Sequence, residues 1–256
     1  MQTAATPYEV RFATDPDDLS AAARLRYAVF VEELGGDGPD VDHDARLERD
    51  GFDAHCAHLV LIDPARDRAA LDHVVGVYRL MGAEGAAAAG RFYTEGEFDL
   101  TPLKTSGRKL MELGRSCLHP AYRGGSAMLT LWQALSAHVE AEGVEILFGT
   151  ASFHGTDIAA LAEPLSALHW RHLAPPELRV RAHPFQRMDL VPEEAIDRLA
   201  AARATPPLIK AYLRLGGVIG EGAFVDHAFN TTDVCLVLDV ARSNAAQRAL
   251  YARAGA

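Results

Sequence analysis

Two hydrophobic periods alternate along the chain. Tyr8 to Ala13 is short and strand-like. Thr14-Asp15-Pro16-Asp17-Asp18 then offers a capping side chain, a proline in the first turn and acids at the positive end of a helix dipole, which predicts a helix start. That helix sets Leu19, Ala22, Arg26, Val29, Phe30 and Leu34 near one face, with Arg26 the odd residue among them, and Gly35-Gly36 end it. An irregular stretch runs to Asp53. Cys56 to Ile62 and His73 to Leu80 read as strands joined by the turn-rich Asp63-Pro64-Ala65-Arg66-Asp67. Gly82 to Gly96 reads as a loop or loose helix, Lys109 to Leu118 as a strand, and the following helix carries Leu129, Trp132, Leu135 and Val139 on one face. Further on, the pattern predicts a strand at Val144 to Ala151, a helix at Asp157 to His172, and an extended arm at Leu178 to Leu190 bearing Arg179, Arg181 and Arg187. The tail holds a short helix around Leu208 to Leu213, strands at Gly217 to Ile219 and Asp233 to Val240, and a last helix.

Alternating strands and helices without a repeat, linker or composition break predict one α/β domain over residues 1–256. Its expected division is a core at 8–190 and a C-terminal extension at 191–256 packing on it. Hydrophobic residues at 49% exclude a disordered chain. A balance of 25 cations against 35 acids, net -10, excludes nucleic-acid binding through the overall field. Cys56, Cys117 and Cys235 form no CxxC pair, so neither a disulfide framework nor a zinc site is expected. The N-terminus lacks the regions of a signal peptide, and no apolar run nears the roughly 20 residues that span a bilayer. A soluble protein of a reducing compartment is expected.

Candidate chemistry gathers in three segments: Gly76-Val77-Tyr78-Arg79-Leu80, Glu112-Leu113-Gly114-Arg115, and Tyr122-Arg123-Gly124-Gly125-Ser126 feeding a helix. Strand alternation points Glu112 and Gly114 one way and Leu113 and Arg115 the other; a bulge would bring Glu112 and Arg115 closer and free a backbone N–H. Taken singly, these could be a strand-face ion pair and an ordinary turn. In this order they resemble the GNAT superfamily of N-acyltransferases, which implies a mixed β-sheet flanked by helices. In that fold a Gly-rich turn and a helix N-terminus hold the donor's phosphate. The usual fingerprint, Gln/Arg-x-x-Gly-x-Gly/Ala, is met from Arg123 with Ser126 and Met128 at its small positions. That departure disfavours a CoA pyrophosphate and suits the single phosphate of the phosphopantetheine arm of an acyl carrier protein.

Arg26-x-x-Val29-Phe30, Arg79 and Glu112-x-x-Arg115 further resemble acyl-homoserine lactone synthases, although their Trp after the Arg…Phe pair is missing and the chain is longer at its C-terminus. The tail, Pro206-Pro207-Leu208-Ile209-Lys210-Ala211-Tyr212-Leu213-Arg214-Leu215-Gly216 and Val225-Asp226-His227-Ala228-Phe229-Asn230-Thr231-Thr232-Asp233-Val234, is similar to the hemolysin-like ornithine N-acyltransferase family over roughly Val10 to Val240. The resemblance implies transfer of a 3-hydroxyacyl chain from acyl carrier protein to the α-amine of ornithine, giving lyso-ornithine lipid. It also implies a cytoplasmic enzyme, with peripheral contact at the inner membrane surface an open option. No metal and no cofactor beyond the donor's phosphopantetheine are expected.

The implied catalytic residues are Glu112, Arg115 and Arg79. Cys117, Leu118, Arg123, Gly124, Gly125 and Ser126 are assigned to the donor, and Arg26, Phe30, Asp42 and Asp44 to the acceptor. A thioester is already activated, so catalysis must deliver a neutral amine and stabilise an oxyanion. Glu112 would take the proton through an ordered water, and the oxyanion would sit on a backbone N–H near Gly114 to Cys117. Arg79 and Arg115 would either hold the amino-acid carboxylate or structure the acceptor loop through Asp42 and Asp44. Nine acids against Arg46 and Arg49 between Glu32 and Asp53 suit a cationic acceptor, whereas five cations against Glu112 between Lys104 and Gly124 suit an acidic carrier. Arg171, Arg179, Arg181 and Arg187 are further candidates for docking the carrier or anionic lipid. Open alternatives are another acceptor such as glutamine, acyl-homoserine lactone synthesis, and a non-catalytic acyl-carrier or lipid-binding module. His55 and His58, three apart on a strand edge, are a poor metal pair.

Overall fold

A computed structural model describes residues 8–243, so the expected last helix lies outside the described residues. In chain order the elements are β1 (Glu9–Phe12), α1 (Pro16–Arg26), β2 (Ala57–Ile62), β3 (Val74–Gly82), α2 (Ala83–Ala89), β4 (Phe98–Asp99), α3 (Thr101–Lys104) and β5 (Leu110–Leu118). They continue with α4 (Ala127–Ala141), β6 (Ile146–His154), α5 (Ala162–His172), β7 (Arg181–Ala182), α6 (Arg198–Ala204), α7 (Pro207–Arg214), β8 (Val218–Ile219), β9 (Phe224–Asp226) and β10 (Thr231–Asp239). Eight strands make a mixed sheet of the expected GNAT kind, and β4 pairs β7 in a two-stranded ribbon. The chain divides into two compact units, residues 8–81 with 113–143 and residues 82–112 with 144–243.

In the first unit β1, β2 and β3 pair antiparallel in sequence. Asp15 accepts the Asp18 N–H at 2.8 Å, capping α1 as its sequence predicts. Ala21, Ala22 and Leu25 of α1 pack on Val60, Ile62, Val74, Val77 and Cys117; three consecutive alanines let the helix lie close to the sheet. Beyond Arg26 the helix widens into a π-helical turn over Tyr27–Glu33, which the apolar period alone does not distinguish from α. Helix α4 buries Leu131, Trp132, Leu135 and Val139, and the Trp132 indole N–H donates to the Tyr78 hydroxyl at 2.9 Å. A Cβ at Gly76 would stand 2.6 Å from a Leu118 methyl and 3.2 Å from the Leu61 Cβ, so a larger residue there would have to push the buried Leu118 side chain aside.

In the second unit β5 starts parallel to β6, and β6 runs antiparallel to β10 over nine residue pairs. β8 and β9 line the other edge of β10. β10 is buried at every position. The segment after residue 190 therefore supplies a strand inside the sheet as well as α6 and α7. The helix expected from Asp157 begins later, at Ala162, because the Asp157 carboxylate accepts the N–H groups of Ala159 and Ala160 in a preceding turn.

Candidate active site

Within the first unit, three arginines and three carboxylates close a ring of alternating charge. Glu48 bridges Arg26 and Arg115, the latter at 3.0 Å; Asp50 bridges Arg115 at 2.9 Å and Arg79 at 2.6 Å; Asp53 bridges Arg79 at 2.8 Å and Arg26 at 2.9 Å. Arg26 and Glu48 are each 1% exposed. The ring has no net charge, and each charge faces two of opposite sign, which is what makes burial tolerable. Burial by itself would raise the carboxyl pKa values, yet the neighbouring arginines hold Glu48, Asp50 and Asp53 below the ordinary range.

Of the two roles open for the arginines, the ring corresponds to the structuring one: Arg79 and Arg115 pair with acids of the loop after the first helix. The partners differ from the expected ones. Asp42 accepts the N–H of Ala45 in its own turn at 2.8 Å and Asp44 is exposed, while Glu48, Asp50 and Asp53 take the arginines. The physical reason is local anchoring. The Glu48 N–H donates to the Ala23 carbonyl of α1, and the carboxylates of Asp50 and Asp53 also shape the turn by accepting the N–H groups of Phe52 and Asp50. The sequence signal was present in Leu47 and Phe52, apolar residues among these acids that mark a segment folding back on the protein. Arg26, assigned to the acceptor, is thus a buried ring member, and Phe30 packs at the edge of the α1 core.

Groups with depressed carboxyl pKa values contribute fully above their unfolded values near 4 and lose that contribution as pH falls toward the folded values. His58, whose ring nitrogen lies 3.1 Å from the Asp53 carbonyl, has its pKa lowered chiefly by burial, so it adds a loss beginning below about 6.5. The melting temperature should fall gently from pH 7 to 5 and steeply below about 4, and Asp53→Asn should flatten the steep limb. A melting temperature constant from pH 7 to 3 would show that the ring does not hold the loop.

On β5, Arg115 adopts φ +49° in the left-handed region, a break in the extended backbone of the strand. Its guanidinium contacts with Glu48 and Asp50 hold that strained backbone in place. Cys117 is buried in the α1 core and burial pushes its thiol up to about 12, so it is protonated at neutral pH and unsuited to carry an acyl group. Leu118 is buried beside it. Gly124 turns the chain at φ +80°, and residues 123–126 are exposed ahead of the fifteen-residue α4. Arg123 donates to both oxygens of Glu33 at 2.6 and 2.7 Å and to the Leu118 carbonyl.

In the second unit Glu112 is 4% exposed, and its carboxylate accepts the backbone N–H groups of Tyr93 at 2.9 Å and Thr94 at 2.6 Å. Two such donors favour the charged form. The segment read as a loop or loose helix thus includes a 3-10 turn, Tyr93–Gly96, that docks on Glu112 through its backbone, a bond that side-chain patterning cannot announce. Lys104 pairs with Glu95 at 2.5 Å and Arg108 with Asp239 at 2.7 Å. Of the arm's arginines, Arg181 lies over Phe185 and pairs with Glu221, and Arg187 pairs with Asp189. No helix among the described residues is long and apolar enough to cross a membrane.

Comparison with known proteins gives this geometry a family. A GNAT acetyltransferase domain matches residues 25–133. An L-ornithine N(alpha)-acyltransferase of Rhodobacter capsulatus is 59% identical over 253 residues, 99% of this chain and 98% of the relative. The fold is similar to FeeM, an N-acyl amino acid synthase from uncultured soil microbes, with a TM-score of 0.52, 12% identity and 92% of both chains covered. It is also similar to BjaI, a CoA-dependent acyl-homoserine lactone synthase, with a TM-score of 0.53, 14% identity, and 95% of this chain and 87% of that one covered. The chain is an acyltransferase of GNAT fold and belongs to the L-ornithine Nα-acyltransferase family.

Proposed function

We propose that the enzyme moves a 3-hydroxyacyl chain from the phosphopantetheine thioester of an acyl carrier protein to the α-amine of L-ornithine, giving lyso-ornithine lipid. The observation that carries this reading is the near-full-length identity to a relative named for that acceptor. The donor assignment is supported by the turn before α4, where Ser126 and Met128 replace the small residues of the usual pyrophosphate cradle. Helix α4 still offers N-terminal N–H groups and a positive dipole end to a single phosphate. Lys104 and Arg123 are held by surface ion pairs, which are worth about 0–1 kcal/mol each and can be exchanged for an acidic partner, whereas Arg108 is committed to the buried Asp239 through two hydrogen bonds.

In this reading Glu112, kept anionic by two N–H donors, draws the proton from the ammonium through a water, and the amine attacks the thioester carbonyl directly. The C–N bond forms and the tetrahedral oxyanion rests on a backbone N–H of the irregular strand around Arg115; as it collapses the C–S bond breaks, the leaving thiolate takes the second proton from the nitrogen, and the first proton passes from Glu112 to water. Arg79 and Arg115 act through the loop they hold. The test is thiol release with 3-hydroxyacyl carrier protein and with 3-hydroxyacyl-CoA, each with ornithine. Rapid release is expected only from the carrier; equal rates would overturn the donor assignment, and no release from either would favour the non-catalytic alternative.

A further inference from the structure

Ornithine carries a second ammonium, and the ring acids are each already bridged between two arginines. A separate set of acids stands in the second unit. Glu97, Asp226 and Asp233 each offer a carboxylate oxygen within 4.8 Å of the others, although 129 and then 7 residues separate them in sequence. Glu97 and Asp233 are 5% and 4% exposed, and Asp226 is half-buried.

Strand register explains why they meet. Thr231 is the cross-strand partner of Asp226, and Asp233 follows two residues along β10, so the three share one face. The Thr231 hydroxyl is buried on that face with no hydrogen-bond partner among the described residues. Asp233 lies opposite Ser152, which is exposed, so the cluster has a route to solvent. The same face leads to the candidate base: Glu112 pairs with Phe148 and Phe148 with Val237, two and four residues along from Cys235 and Asp233. Burial raises the Cys235 thiol, and the charges of both Glu112 and Glu97 raise it further.

Close carboxylates repel, and a cation among them relieves the repulsion. An ammonium has three donors to share among carboxylates and a hydroxyl, whereas Ca²⁺ or Mg²⁺ seeks about six oxygens or more. We infer that Glu97, Asp226 and Asp233, with the Thr231 hydroxyl, bind the side-chain ammonium of the acceptor amino acid and select it over neutral amino acids. The inference rests on ornithine being the acceptor, and it places selection in the tail motif instead of at Asp42 and Asp44.

The test compares kcat/KM for L-ornithine and L-norvaline, the same side chain length without the terminal amine, in wild type, Asp233→Asn and Asp226→Asn. Wild type should prefer ornithine, and each substitution should cut that preference about ten- to a hundredfold, mainly through the ornithine KM. Asp226 is half-buried, so its variant serves if Asp233→Asn does not fold. An unchanged preference in Asp226→Asn, or a preference lost instead in Asp42→Asn with Asp44→Asn, overturns the inference while ornithine acylation stands. Stabilisation of wild type but not Asp226→Asn by Ca²⁺ or Mg²⁺ alone overturns it in favour of a metal site. Wild type that acylates neither amine removes the acceptor reading and this inference with it.

Discussion

Arg26→Ala should destabilise the protein by about 3–5 kcal/mol, the usual cost of leaving a buried charge without its partner. The substitution strips Glu48, itself 1% exposed, of one of its two cations and Asp53 of one of its own. It also opens a cavity at one of the largest fully buried side chains of the molecule. Against a total stability of about 5–15 kcal/mol for a folded domain, that loss is large. Asp50→Asn should cost less, because Asp50 is 15% exposed and water can partly replace what it gave Arg79 and Arg115. Urea unfolding of wild type and both variants measures the difference. A loss under about 1 kcal/mol for Arg26→Ala would mean that loop packing, with the ring incidental, holds the fold.

Glu112→Gln should lower turnover about a hundredfold, the lower end for loss of a general base. The substitution also changes the fold locally. A glutamine amide can accept only one of the N–H groups of Tyr93 and Thr94, and the other is left facing an NH₂ at a cost of about 1–3 kcal/mol. Two readouts separate proton transfer from loop anchoring. If Glu112 is the base, Glu112→Gln leaves turnover dependent on the fraction of free amine, so its kcat rises more steeply with pH than that of wild type, and Glu112→Asp stays closer to the wild-type profile. If Glu112 only anchors the turn, Glu112→Gln keeps near-wild-type kcat at neutral pH while its melting temperature drops.

Local pattern carried much of the architecture. The Asp15 cap, the amphipathic α4 with Trp132 on its buried face, and the strand bearing Glu112 and Arg115 all depend on short-range rules of capping and periodicity. The π-helical turn after Arg26 was not legible, because a slightly wider helix keeps the same apolar face over seven residues. Nor was the docking of the Tyr93–Gly96 turn on Glu112, which is made by backbone N–H groups that every non-proline residue shares.

For the candidate site, sequence by itself determined the residue types and their order: an arginine on an apolar helix face, Arg79 on a strand, Glu112-x-x-Arg115, and an acidic stretch beside them. It also determined the family through the tail motif. Only the tertiary structure decided which acid meets which arginine. Within the acidic stretch nine carboxylates are chemically alike, and the choice of Glu48, Asp50 and Asp53 over Asp42 and Asp44 follows from where Leu47 and the Glu48 backbone bond to α1 anchor the loop. The meeting of Glu97 with Asp226 and Asp233 has the same origin. Their proximity is set by the pairing of β9 with β10 and by the ribbon that positions Glu97, and charge recognises distance in space with no regard for separation along the chain.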